Sequence, residues 1–113
     1  MFKQREWFGG CLCGDIRYRA SGNPEWVGIC HCQSCRKHTG GVLNAAAGFQ
    51  RSNVTFTGKP EEFRSSKGVG RLFCSRCGSA LAYKSEQWPR DIHLFVGTFD
   101  EPNLIQPQFH IFA

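Results

Sequence analysis

Apolar and polar positions along the chain alternate with a period of two in several short stretches, and almost nowhere with the period of a helix. Ile16, Tyr18 and Ala20 alternate with Asp15, Arg17 and Arg19, the pattern of a half-buried strand. Val54 to Thr57 reads as a strand ended by the turn Gly58-Lys59-Pro60. Arg71-Leu72-Phe73 leads into a cysteine pair and Ala80 to Tyr83 leads away from it. Ile92 to Val96 is a strand closed by Gly97, and Phe109 to Phe112 a last one. His93 alternates within its strand and is expected to be exposed. Gly97 to Asp100 is expected to form a strand-ending turn in which Asp100 bonds local backbone. Only Gln33 to His38 predicts a helical turn, stopped by Gly40-Gly41. Gly41 to Phe49 is ambiguous, because Ala45-Ala46-Ala47 suits either state. Residues 1–113 therefore predict a single, mostly β domain whose loops carry cysteine.

Composition narrows this picture. A chain of 113 residues buries a modest core, and small domains often need a staple. No apolar run approaches the ~20 residues that span a bilayer, so no membrane partner is expected. The opening MFKQREWFGG lacks the apolar core of a signal peptide, which leads to the expectation of a cytoplasmic protein. In that reducing setting clustered cysteines point to metal or catalysis more than to disulfides.

The seven cysteines fall into three clusters: Cys11 and Cys13; Cys30, Cys32 and Cys35; Cys74 and Cys77. The pairs Cys11-Leu12-Cys13-Gly14 and Cys74-Ser75-Arg76-Cys77-Gly78 each read as half of one four-thiolate zinc site. Zn–S bonds near ~2.3 Å put sulfurs about 3.8 Å apart, closer than a flat strand holds side chains i and i+2. The chain must bend at both pairs, and Gly14 and Gly78 allow it. Such a site is closed to chemistry and would serve stability. Free core cysteines or strained local disulfides are the alternatives.

In Cys30-His31-Cys32-Gln33-Ser34-Cys35-Arg36-Lys37 one loop could place three sulfurs on a second zinc. A spare fourth position is the mark of a catalytic site. His31 could fill it, although both its neighbours would already be ligands. Three thiolates leave Zn²⁺ with a net −1, suited to a fourth soft ligand such as a substrate thiolate. A coordinated thiol loses its proton. Arg36, Lys37 and His38 could attract a substrate carboxylate, and Arg36 and Lys37 are the substrate-binding candidates; a solvated surface is the bland alternative for both. Cys32 and Cys35 also match a redox dithiol, but no βαβ pattern precedes them. The formal charge of +5 shrinks on metal binding: seven thiolates and two Zn²⁺ change it by −7 and +4, to +2. Nucleic-acid binding is correspondingly disfavoured.

These residues together resemble the glutathione-dependent formaldehyde-activating enzyme family, which also holds a centromere-associated (centromere protein V) branch. The match runs through Gly9 to Gly14 with Ile16-Arg17-Tyr18, Cys30 to Lys37 and Gly40, and Ser65-Ser66. It goes on with Arg71, Phe73 to Ser79 and Leu81, Gly97 to Asp100, Pro102 and His110-Ile111. The resemblance implies a small zinc-stapled β-tent (Mss4-like), a single domain of several short antiparallel sheets. It implies two Zn²⁺ per chain, a structural one on Cys11, Cys13, Cys74 and Cys77 and a catalytic one on Cys30, Cys32 and Cys35. It also implies a carbon–sulfur lyase joining a small-molecule thiol to a small aldehyde, in the family's name-giving case glutathione and formaldehyde to S-hydroxymethylglutathione. Family members commonly run on past the His110-Ile111-Phe112 segment, so the pocket is expected to be more open here, or completed by another subunit.

Two rival classes remain. One is a non-catalytic zinc module binding protein or nucleic acid, as in the centromere branch. The other is a methionine sulfoxide reductase relative, whose zinc-stapled scaffold is similar but whose chemistry needs a lone redox cysteine. Trp7, Trp26 and Trp88 are expected in core or rim packing more than in a site. His110 is an alternative proton relay, against a merely packed or surface histidine.

Overall fold

The computed structural model describes residues 5–102 and, as strand backbone, residues 109–111. The elements follow as β1 (Glu6–Gly10), β2 (Arg17–Ser21), β3 (Trp26–Cys30), α1 (Gln33–Thr39), β4 (Asn44–Gln50), β5 (Val54–Thr57), β6 (Glu61–Ser66), β7 (Val69–Phe73), β8 (Ala80–Ser85), β9 (Asp91–Phe95) and β10 (Phe109–Ile111). Strands β1-β2-β5 form a three-stranded sheet, and β10-β3-β4-β9-β8-β7-β6 a seven-stranded one. Pairings are antiparallel except that β10 runs parallel to β3. The mostly β expectation holds, with the strands gathered into two sheets. No helix among the described residues is long and apolar enough to cross a membrane.

The register explains how one sheet serves two purposes. Successive strand residues point to opposite faces. Val27, Ala47, Leu94, Ala82 and Leu72 are paired across five neighbouring strands and all are buried. They face Trp7, Tyr18, Ala20 and Phe99 in one core. Tyr18 and Phe99 meet edge to face at 5.5 Å, and the Tyr18 hydroxyl lies 2.8 Å from Thr98 Oγ1. One position along, Trp26, Gly48, His93, Tyr83 and Arg71 are paired in the same way and belong to the other face. Gly48 is required there: any Cβ would run into the Trp26 indole, which lies against the strand.

Three strands escape the pattern of the sequence. In β1 burial alternates, with Trp7 and Gly9 inside, but the exposed phase carries the apolar Phe8. β3 is largely buried and lacks a polar phase. β6 is a polar edge strand, exposed at nearly every position. The ambiguous segment resolves as β4, a central strand whose small Ala46 and Ala47 are buried between β3 and β9. Two local expectations are corrected. His93 is not exposed but half-buried against the rings of Trp26, Tyr83 and Trp88, because its strand has both faces covered. Asp100 reaches beyond its turn, with no local backbone bond to its carboxylate among the described residues: it pairs with the Arg17 guanidinium, with Nη1 3.0 Å from Oδ1, tying the segment after β9 to β2.

Candidate functional site

Two groups of sulfurs come together. Cys11 and Cys13 occupy the loop between β1 and β2, and Cys74 and Cys77 the loop between β7 and β8. The four Sγ atoms lie within 4.8 Å of one another. Cys11 Sγ and Cys13 Sγ are 3.6 Å apart, and Cys13 Sγ and Cys74 Sγ 3.7 Å. Both loops turn through left-handed glycines, Gly14 at φ 84° and Gly78 at φ 82°, which side chains rarely tolerate. Gly14 N–H then donates to Cys11 O and Gly78 N–H to Cys74 O. Ser79 bridges the loops, its hydroxyl accepting from Leu12 N–H at 3.0 Å and lying 3.2 Å from Cys77 Sγ. Hydrogen bonds from that hydroxyl and the Ser79 backbone pull the Cys77 thiol down to about 5. Cys13 is pushed up to about 12: the Asp15 backbone favours its ionisation, but burial and the neighbouring sulfurs oppose it. Four thiols this close cannot all ionise unless a cation joins them.

The second group is Cys30 at the end of β3, Cys32 capping α1, and Cys35 within it, again with all Sγ atoms inside 4.8 Å. Cys35 N–H donates to Cys32 Sγ at 3.3 Å, and Cys30 Sγ lies 3.5 Å from Cys35 Sγ. Among the described residues no histidine nitrogen or carboxylate oxygen joins this trio, so His31 is not a fourth member. Burial pushes the Cys30 thiol up to about 12 and raises Cys35 too, although Arg71 draws Cys35 back. Burial also opposes ionisation of Cys32, but the Cys35 thiol and N–H outweigh it and set Cys32 below the ordinary thiol range.

Both groups fit zinc. Their sulfur spacings match the ~3.8 Å of a tetrahedral thiolate site and far exceed the ~2.05 Å of a disulfide. All seven cysteines are free thiols. The first group offers a complete ligand set, the second three ligands and an open side.

The three sulfurs open onto a cavity of about 670 Å³ on the face of the large sheet opposite the core. Arg71, only 5 % exposed, donates from Nη1 to Cys35 Sγ at 3.5 Å and from Nε to Ser65 Oγ at 3.0 Å. Its guanidinium sits 5.2 Å from the Tyr83 ring centroid. Asn44, paired with Cys30 across β3 and β4, is buried, and its Nδ2 has no hydrogen-bond partner. Trp26, Tyr83, Trp88 and His93 form an aromatic wall, with Asp91 beside it.

The candidate residues are not all brought together. Arg36 and Lys37 stand exposed on α1 and do not line the cavity. His38 turns inward, its ring tilted on Phe95 and both nitrogens buried without partners. Trp7 packs in the core, whereas Trp26 and Trp88 line the cavity. The His110 backbone pairs with Ile29 of β3, but its side chain lies outside the described residues. The sequence predicts Arg71 only as a strand residue of the family pattern, and no site role for Asn44 or Tyr83. The available signal was a lone arginine one position from Leu72, which strand alternation sends to the other face.

Comparison with known proteins gives a consistent picture. A model of the glutathione-dependent formaldehyde-activating enzyme family matches residues 6–113. A Halomonas elongata protein, provisionally named as such an enzyme, is 32% identical over 102 residues, covering 81% of this chain. The chain spans 64% of that relative's length. An uncharacterised lyase of Schizosaccharomyces pombe is 32% identical over 103 residues, covering 84% of this chain and 75% of its own. A crystal structure of a Rhodobacter sphaeroides protein superposes with a TM-score of 0.67 at 17% identity, covering 90% of this chain and 98% of the other, and shares the fold.

The two sulfur groups should respond differently to loss of one ligand. Cys32→Ser should lower zinc from about two per chain to about one and leave the circular dichroism spectrum unchanged, while Cys74→Ser should unfold or aggregate the chain. Like behaviour of both variants would contradict the division. His93 carries a pH signature. Burial holds its pKa down to about 4, from 6.5 in the unfolded chain. Between these values the unfolded state binds more protons, so this contribution to stability is full above pH 6.5 and lost as pH falls toward 4. The slope is at most about 1.4 kcal/mol per pH unit. Urea midpoints at pH 5 and 7 should therefore differ less in His93→Phe than in the wild type; an equal difference would place the acid sensitivity elsewhere.

Proposed function

The chain belongs to the glutathione-dependent formaldehyde-activating enzyme family, and from that premise we propose that it is a zinc-dependent carbon–sulfur lyase or synthase acting on a thiol–aldehyde adduct. Glutathione and formaldehyde, giving S-hydroxymethylglutathione, are the first pair to consider. The observation that carries the proposal is the three-sulfur group of Cys30, Cys32 and Cys35, open to a cavity large enough for a small molecule. Cys11, Cys13, Cys74 and Cys77 would hold the second, structural zinc within this single domain.

In the synthetic direction the thiol gives up its proton, its sulfur bonds to the carbonyl carbon, and the C=O π bond opens. The carbonyl oxygen takes up a proton and becomes the hydroxyl of the adduct. Cleavage is the reverse. A zinc ion on the three thiolates would keep a position for the substrate sulfur and lower its thiol pKa.

The chain's own residues do the rest. Arg71 places a buried positive charge beside the sulfur group, and its bond to Cys35 Sγ fixes that sulfur's lone pairs. Asn44 offers an unused N–H donor on the cavity wall level with Cys30, suited to the oxygen that gains charge as sulfur adds. The donor is preorganised, because β3 and β4 hold it and it has no partner to give up. Small Ala46 and buried Phe95 add an apolar stretch to the wall beside these polar groups.

Exchange spectroscopy by NMR tests the reaction. The zinc-loaded protein should speed the interconversion of glutathione and formaldehyde with their adduct; exchange no faster than without protein would reject this substrate pair. For whichever pair is turned over, Asn44→Ala should lower kcat by about a hundredfold with the thiol KM unchanged. An unchanged kcat would remove Asn44 from the chemistry.

A further inference from the structure

The cavity is far larger than formaldehyde needs, and its walls differ from what a peptide thiol needs. Glutathione carries two carboxylates and an ammonium, and its recognition calls for several charged partners. Among the described lining residues the charges are Arg71, which is engaged with Cys35, Ser65 and the Tyr83 ring, and Asp91. Arg36 and Lys37 lie outside the cavity.

Rings occupy the rest of the wall. Trp26 meets His93 edge-on at 4.7 Å and 83°. Tyr83 and Trp88 lie more nearly parallel to His93, at 5.1 Å and 33° and at 6.0 Å and 34°. His93 is held neutral at pH 7 by its burial. The register sets this row across the sheet, from Trp26 over bare Gly48 to His93, Tyr83 and the sulfur-side Arg71. Its rings touch one another and leave faces and edges toward the cavity, a surface for a flat uncharged ring and not a cage for a cation.

We propose that this aromatic row binds an aryl arm of the substrate, so that the thiol–aldehyde adduct this chain prefers carries an aromatic ring on its sulfur side or its aldehyde side. The identity of the reaction rests on the function proposed above; the arm site can be read without turnover.

The test is a titration of the zinc-loaded protein with benzyl mercaptan, ethanethiol, benzaldehyde, acetaldehyde and glutathione, followed by tryptophan fluorescence and indole N–H shifts. Benzyl mercaptan over ethanethiol, or benzaldehyde over acetaldehyde, should bind at least tenfold more tightly and shift the Trp26 and Trp88 signals. The pair that shows the gain identifies which partner bears the ring. Trp88→Ala, at a half-open position, should cut that ratio to below about threefold. Neither aryl compound gaining over its aliphatic counterpart would overturn the proposal, as would glutathione binding as tightly as both, or an unchanged ratio in Trp88→Ala. The expected ratio without accelerated exchange for any pair would leave the arm site standing and reject the reaction. Accelerated exchange without the ratio would do the reverse.

Discussion

Four sulfurs from two hairpin loops must meet at one point, and the two loops belong to different sheets. Cys11 and Cys13 sit at the turn of the three-stranded sheet, Cys74 and Cys77 at a turn of the seven-stranded one. Bringing them within 4.8 Å fixes how the sheets face each other and therefore where Trp7, Tyr18 and Phe99 can pack. Four thiols at that spacing repel one another once ionised, so the same closeness that joins the sheets calls for a cation at the join. A domain of this size buries too little surface to be indifferent to such a cross-link.

The seven-stranded sheet carries that constraint across to the other face. One register sets Val27, Ala47, Leu94, Ala82 and Leu72 into the core and Trp26, Gly48, His93, Tyr83 and Arg71 into the cavity. A one-residue slip would exchange the two rows. Stability and site are therefore not separable here: β7 places Leu72 against the core, Arg71 beside Cys35, and Cys74 at the sulfur join. Arg71 can remain buried as a cation because a sulfur, a serine hydroxyl and an aromatic face surround it.

The sulfur groups were legible in the sequence because their chemistry is local: one or two residues between thiols, a glycine to turn on after each pair of the four-sulfur group, and a thiol that favours soft metals. The strands with clean alternation, such as Ile16 to Ala20 and Val54 to Thr57, were legible for the same reason. The cavity was not. Its wall is written in the pairing of β3, β4, β9, β8 and β7, which no single segment reveals, and its residues come from positions 26 to 95 of the chain. His93 read as exposed because alternation assigns a phase but cannot say that the second face is also covered. Asp100 read as a local turn residue because its partner, Arg17, lies on another strand.

The central claim is that seven cysteines divide into one closed and one open zinc site. X-ray absorption at the zinc edge of the fully loaded protein tests it most directly, since it counts sulfur neighbours. The division predicts an average of about 3.5 sulfurs per zinc, rising toward about 4 when a substrate thiol is added. An average of 4 before any thiol is present, or a count that thiol leaves unchanged, would contradict it.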